Sequence, residues 1–212
     1  MTRKERAEAF FDILLTLYPD AQCSLIYENP LQLLIATQLS AQCTDARVNM
    51  VTPALFKKYP DIYAFANATQ EDMEEAIRST GFYRNKAKNI IACCNKIIKN
   101  FNSDVPDNME DLLTLDGVGR KTANLVLGDI FGKGGMVIDT HAKRILYRVG
   151  LTKESLPEKV ERDTEALLPR EKHSDFCHRL VLHGRALCTS RKPKCSECPA
   201  SNVCKKNGSI NL

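Results

Sequence analysis

Leu115-Asp116-Gly117-Val118-Gly119-Arg120-Lys121-Thr122-Ala123 is the stretch on which the reading of this chain turns. Residues 109–115 read as a short helix and residues 120–131 as a second one. Two glycines in the turn between them permit positive φ and a close approach of the backbone to a neighbour. They also leave the first N–H groups of the second helix uncovered, and a helix N-terminus attracts a phosphate. Taken alone, Gly-x-Gly is an ordinary helix–helix turn. Lys121 sharpens the reading. A lysine in the first turn faces the positive end of the helix dipole, which disfavours its ammonium form, and a neutral amine is what attack on an electrophilic carbon requires. A plain phosphate-binding lysine fits the same spacing.

Outward from the hairpin, apolar residues recur at helical spacing nearly everywhere, and no run of strict alternation marks a strand. The expectation is an all-α protein of about ten helices. Pro19 stops the opening helix, and Asn29-Pro30 is a cap followed by proline at the first helical position. Residues 44–59 read as a helix that Pro53 should bend or break. Thr69 caps a helix that Gly81 ends, and residues 83–101 form a longer one. Ser155-Leu156-Pro157-Glu158 has the form of a capping box. Residues 173–187 form a further helix. Gly132-Lys133-Gly134-Gly135 is the best boundary between two helical lobes. Asp139, in Val137-Ile138-Asp139-Thr140-His141, precedes a helix and reads as its N-cap; such a carboxylate can also face a cleft and accept a proton or stabilise a cation.

Composition sets the bounds. Hydrophobic residues are 43% and charged residues 26%, as in an ordinary globular chain, which argues against disorder or a collagen-like repeat. The longest uncharged run, residues 29–44, is shorter and more polar than the roughly 20 apolar residues of a membrane-spanning helix. The first twenty residues mix charges with apolar groups and do not form a signal peptide, so a cytoplasmic protein is expected. A net charge of +4 is too small to imply nucleic-acid binding by itself. Its distribution says more: Arg84, Lys86, Lys88, Lys96 and Lys99 lie in a stretch without an acid, and Arg191, Lys192, Lys194, Lys205 and Lys206 crowd the C-terminal region. Either run fits a phosphate-facing surface or a solvated one.

Nine cysteines in a cytosolic chain argue against a disulfide framework. Cys23, Cys43, Cys93, Cys94 and Cys177 are scattered among apolar residues and read as buried thiols. The other four form Cys188-x6-Cys195-x2-Cys198-x5-Cys204. Four thiolates at that density imply a metal, and either tetrahedral zinc or an iron–sulfur cluster satisfies them. A single short pair and a wide first gap lean towards a [4Fe–4S] cluster. The loop inside the first gap carries Arg191, Lys192 and Lys194, cations suited to phosphate or to offsetting an anionic cluster.

The hairpin segment, the Val-Ile-Asp-Thr-His segment and the four cysteines together resemble the helix-hairpin-helix Gly/Pro-Asp DNA glycosylase superfamily, and within it the endonuclease III family. Leu39-Ser40-Ala41-Gln42-Cys43-Thr44-Asp45, Thr80-Gly81-Phe82-Tyr83 and Leu182-His183-Gly184-Arg185 extend the match over nearly the whole chain, in family order. The resemblance implies a six-helix barrel domain over 23–133 holding the hairpin at about 109–131. It also implies a [4Fe–4S] domain made of 1–22 and 134–212, and a monomer that binds damaged or base-less duplex DNA. The implied activity is base excision: removal of oxidised pyrimidines by a bifunctional glycosylase and AP lyase. On that resemblance Lys121 attacks C1′ of a flipped nucleotide, Asp139 assists base loss and proton transfers, and β-elimination from the Schiff base cuts 3′ to the lesion. Cys188, Cys195, Cys198 and Cys204 would bind the cluster. Gln42 and Phe82 would fill the gap left by the flipped base; Gly117, Val118, Gly119, Arg120, His141, Arg144, Arg191, Lys192 and Lys194 would contact DNA. A monofunctional adenine-mismatch glycosylase is a second reading, which Lys121 opposes; a non-catalytic DNA-binding module with a structural metal is a third. The family hairpin has proline where this chain has Asp116, an acid expected either to weaken a phosphate contact or, more simply, to cap the second helix.

Overall fold

A computed structural model describes residues 1–206, and among them every regular element is helical. In chain order the α-helices are α1 (Arg3–Leu17), α2 (Pro30–Leu39), α3 (Asp45–Lys58), α4 (Ile62–Ala66), α5 (Gln70–Ile77), α6 (Tyr83–Asn100), α7 (Met109–Thr114), α8 (Arg120–Phe131), α9 (Thr140–Val149), α10 (Pro157–Thr164) and α11 (His173–Ala186). No helix among the described residues is long and apolar enough to cross a membrane. The chain divides into two compact units, one of Met1–Gln22 with Gly132–Leu212 and the other Cys23–Phe131.

The Cys23–Phe131 unit is built on capped helices. Asn29, Thr44, Asp61, Thr69 and Asn108 each accept a hydrogen bond from a first-turn backbone N–H. Helix α2 is apolar on most faces, and Leu33, Leu34, Ile35 and Leu39 are buried with Met73, Ile77, Ile90, Ile97, Leu112 and Val126. Pro53 lies inside α3 without ending it. The helix that Thr69 caps closes as α5 at Ile77, and Arg78–Thr80 tightens into a 3₁₀ turn before Gly81.

In the other unit α1 packs on α11. Phe10 and Phe11 meet Phe176 edge-to-face, with ring centroids 6.2 and 5.5 Å away. Arg6 Nε donates to the Val203 carbonyl at 3.1 Å, tying the first helix to the C-terminal segment. The capping box of this unit is at Thr2 and Glu5, where the side chain of each accepts from the other's backbone N–H. The one expected at Ser155 does not form: α10 starts later, with Leu156 at the cap and Pro157 at the first helical position, so proline geometry sets the boundary.

Candidate active site and metal centre

The hairpin between α7 and α8 is held by two apolar anchors, Leu115 and Val118, which are 3% and 7% exposed, and by the Val118 N–H donating to the Leu115 carbonyl at 3.2 Å. Gly117 has φ +73°, and a Cβ there would lie 2.9 Å from Asn89 Cβ and 3.1 Å from Gln38 Oε1. Gly119 has open space around the corresponding position. The Gly119 carbonyl accepts from Ala123 N–H at 2.9 Å, so Gly119 stands where the cap of α8 would be. The expectation that Asp116 caps this helix is thus corrected: Asp116 is exposed in the turn, and α8 begins only at Arg120. Arg120 and Lys121 are exposed in the first turn of α8.

Gln42 and Phe82 share two unusual properties. Each is exposed, and each has a positive φ, 52° and 48° respectively, which costs about 1–2 kcal/mol for a residue with a side chain. Phe82 is 62% exposed, an expensive place for a ring. Both line one cavity of about 180 Å³ together with Gln38, Asn85, Lys86, Asn89 and Gly117. Gln38 is 4% exposed, and neither polar atom of its carboxamide has a hydrogen-bond partner among the described residues. Close by is the thiol of Cys93, which burial pushes up to about 12 and so keeps protonated. The strained backbone, the exposed ring and the unpartnered amide lie round the same hole as the first hairpin glycine.

In the other unit, Asp139 is the N-cap of α9, its Oδ1 accepting from Ala142 N–H at 2.7 Å. The cap bond engages Oδ1. His141, on the first turn, is half-buried; burial pushes its pKa below the usual value, Asp139 opposes that shift, and Arg144 and Arg185 add to it. Arg144, expected to contact DNA, is instead 7% exposed and turned inward. Its guanidinium donates to the carbonyls of Cys188, Gly184 and Thr140 and lies 3.1 Å from His141 Nδ1. The reason is the tight approach of α9 to α11: a Cβ on Gly184 would fall 2.3 Å from His141 Nδ1.

Cys188, Cys195, Cys198 and Cys204 line a single cavity of about 230 Å³. Its other polar walls are His183, Arg148, Arg191, Lys194, Ser201 and Lys206, so among the described residues cations but no carboxylate face it. Among the described residues no three His, Cys, Asp or Glu side chains converge as ligands for one metal ion. Four sulfurs round a void with basic walls fit a polyatomic anionic group better than a lone zinc ion, whose tetrahedral Zn–S bonds of about 2.3 Å need close convergence. Burial pushes the thiols of Cys198 and Cys204 above the usual value, the cost that ligation to metal would relieve. Arg148, 7% exposed, donates to the Thr189 and Ser190 carbonyls at 2.7 and 2.8 Å and lies 3.5 Å from Cys188 Sγ. It pins the 189–194 loop, on which Arg191, Lys192 and Lys194 are exposed. His183 stands between Tyr18 Oη at 3.3 Å and Cys198 Sγ at 3.8 Å, and burial pushes its pKa down to about 4.

Sequence reasoning missed Arg148, Gln38 and the role of Lys86. The basic run of residues 84–99 read as one face, yet Lys86 is buried and Lys96 donates to the Thr114 carbonyl. Only the i, i+4 spacing of Lys86 with the buried Ile90 could have flagged it.

Residues 35–170 match the model of the HhH-GPD superfamily of base excision DNA repair proteins. The endonuclease III of Synechocystis sp. is 52% identical over 204 residues, covering 96% of this chain and 93% of the relative. Two solved structures, a non-covalent endonuclease III–DNA complex and a trapped covalent endonuclease III–DNA intermediate, each match with a TM-score of 0.90 and 40% identity over 97% of both chains. The hairpin, the cysteine-lined cavity and these matches together show that the chain belongs to the HhH-GPD superfamily and, within it, to the endonuclease III family.

Proposed function

We propose that this protein is a bifunctional DNA glycosylase and AP lyase of base excision repair that removes oxidised pyrimidines from duplex DNA. The observation that carries the reading is Lys121, exposed in the first turn of α8 directly after the hairpin, in a chain 40% identical to an endonuclease III trapped covalently on DNA. The Lys121 amine attacks C1′ of the extruded nucleotide, and the N-glycosidic bond breaks with its electron pair leaving on the base. Asp139, whose Oδ1 also caps α9, takes up and returns the protons. The C1′–O4′ bond then opens, its electron pair leaving on O4′, which takes a proton as the nitrogen lone pair forms the Schiff base; that imine acidifies the C2′ proton, and its removal expels the 3′ phosphate. Extrusion costs a few kcal/mol, least where the lesion is already poorly stacked.

The Cys23–Phe131 unit serves as the barrel domain, and the unit with both termini as the cluster domain. Gly117, Val118, Gly119 and Arg120 hold a phosphate at the hairpin; Gln42 and Phe82 fill the vacated stack. His141 faces DNA while Arg144, buried behind it, fixes its position. Arg191, Lys192 and Lys194 grip phosphate from the loop that Arg148 pins. Cys188, Cys195, Cys198 and Cys204 hold a [4Fe–4S] cluster, whose iron–thiolate bonds crosslink the C-terminal segment. The protein works in the cytoplasm of a prokaryotic cell, on its DNA. Borohydride trapping on thymine-glycol duplex tests the catalytic reading: wild type should yield a covalent adduct and Lys121→Gln none, while retaining DNA binding. An adduct of equal yield from Lys121→Gln would remove the nucleophile from the account. Purified protein should be brown and contain iron; a colourless zinc protein would reject the cluster.

A further inference from the structure

Lys86 has no part in the chemistry above, yet it is the one lysine in the basic stretch of α6 that is buried, 6% exposed. Its Nζ donates to two backbone carbonyls, Leu39 O and Thr80 O, both at 2.8 Å. Leu39 is the last residue of α2, and Thr80 is the last residue of the 3₁₀ turn that follows α5. Carbonyls at the C-terminal end of a helix lack intrahelical partners and carry the negative end of the dipole, so one buried ammonium satisfies two helix ends at once. Charge-assisted bonds of this kind are about twice as strong as neutral ones. The two ends are those from which the chain runs, within three residues, into Gln42 and Phe82. Both of those residues have left-handed backbone and face the same cavity, with Lys86 in its wall.

We infer that Lys86 is a positioning residue: by bridging the Leu39 and Thr80 carbonyls it sets the separation of the loops that carry Gln42 and Phe82, and so controls base extrusion rather than bond breaking. The inference rests on the proposed glycosylase function. A wedge acts only if its two side chains arrive together, and a strained φ persists only where its surroundings over-determine it. Two bonds from one rigid helix supply that constraint to both loops.

The test uses the whole chain with Lys86→Met, which keeps the length of the side chain and removes both bonds, and Lys86→Arg, which keeps a cation with donors. Three readouts are compared: single-turnover excision from lesion duplex, borohydride trapping on a pre-formed abasic site in single-stranded DNA, and fluorescence of 2-aminopurine beside the lesion. Trapping by wild type on the single strand is the separate check on the proposed function, since it needs the amine but no extrusion. Lys86→Met should slow excision from duplex about tenfold and lower the 2-aminopurine signal, while single-strand trapping changes less than about threefold. Lys86→Arg should recover part of the loss. In a Phe82→Ala background the Lys86→Met effect should shrink, because the lysine acts through the wedge. Equal losses on both substrates, unchanged extrusion fluorescence, or melting of both variants below assay temperature would each overturn the inference and leave Lys86 a requirement of the fold alone.

Discussion

Gly117→Ala and Gly119→Ala separate two tasks that share one turn. At Gly117 the backbone has φ +73°, and the left-handed region costs a residue with a Cβ about 1–2 kcal/mol. The new methyl would also sit 2.9 Å from Asn89 Cβ, an atom fixed to the α6 backbone that no side-chain rotation can move away. Forcing such a contact costs a further 1–3 kcal/mol or about that. The total, roughly 2–5 kcal/mol, corresponds to a drop in Tm on the order of 10 °C for a chain of this size. Gly119 has no strained φ and nothing within 4 Å of its added Cβ. Alanine there should lower stability by only about 1 kcal/mol, the loss of a glycine cap in favour of a poorer one, below the cost at Gly117. Its methyl would project where the hairpin meets a phosphate, and losing one such hydrogen bond weakens DNA binding by about 1 kcal/mol, roughly fivefold. Thermal melts by circular dichroism and fluorescence anisotropy with abasic-site duplex measure the two quantities. A Gly117→Ala protein that melts with wild type, or a Gly119→Ala protein that melts lower than Gly117→Ala, would refute this division.

Three further outcomes are expected. Gly184→Ala brings a Cβ within 2.3 Å of His141 Nδ1 and 3.0 Å of Arg144 Nη2, and should lower stability by about 1–3 kcal/mol in the same melts. Replacing Arg191, Lys192 or Lys194 singly with Ala should reduce the slope of log affinity against log salt by about 1 each while leaving sequence preference unchanged. Burial pushes the thiols of Cys23 and Cys93 from 9 up to about 12. Below pH 9 they are protonated folded or unfolded, so their contribution to stability is complete; as pH rises from 9 towards 12 the unfolded chain ionises first and that contribution is lost. Peptide mapping after maleimide treatment at mildly alkaline pH should find both unmodified in native protein and modified in urea.

Much of this molecule is written in local signals. Asn29-Pro30 marks the start of α2, and Asp139 marks the start of α9, because a short polar side chain over the first-turn N–H groups is a decision made within four residues. The hairpin glycines were legible as a pair, but not their division of labour, since only the packing of α6 tells which glycine is crowded. Pro53 was expected to bend or break α3 and does not break it, as tertiary packing of Val48, Thr52 and Leu55 overrides its local preference. Phe82 read by itself belongs in a core; it is exposed because Gly81 and a left-handed backbone carry it outwards, and a sequence records neither. The burial of Lys86 and Arg144 was not legible for the opposite reason. A cation is solvated by default, and burial of these two depends on orphan carbonyls supplied by other elements, of which Leu39 and Cys188 lie distant in sequence.

The central claim is that one amine, that of Lys121, forms the bond to deoxyribose. Reduction of the enzyme–DNA intermediate with borohydride, nuclease trimming and peptide-resolved mass spectrometry tests it directly. The expected result is a deoxyribose remnant on Lys121 and on no other lysine; a remnant carried by a different lysine, or by the N-terminal amine, would contradict the account.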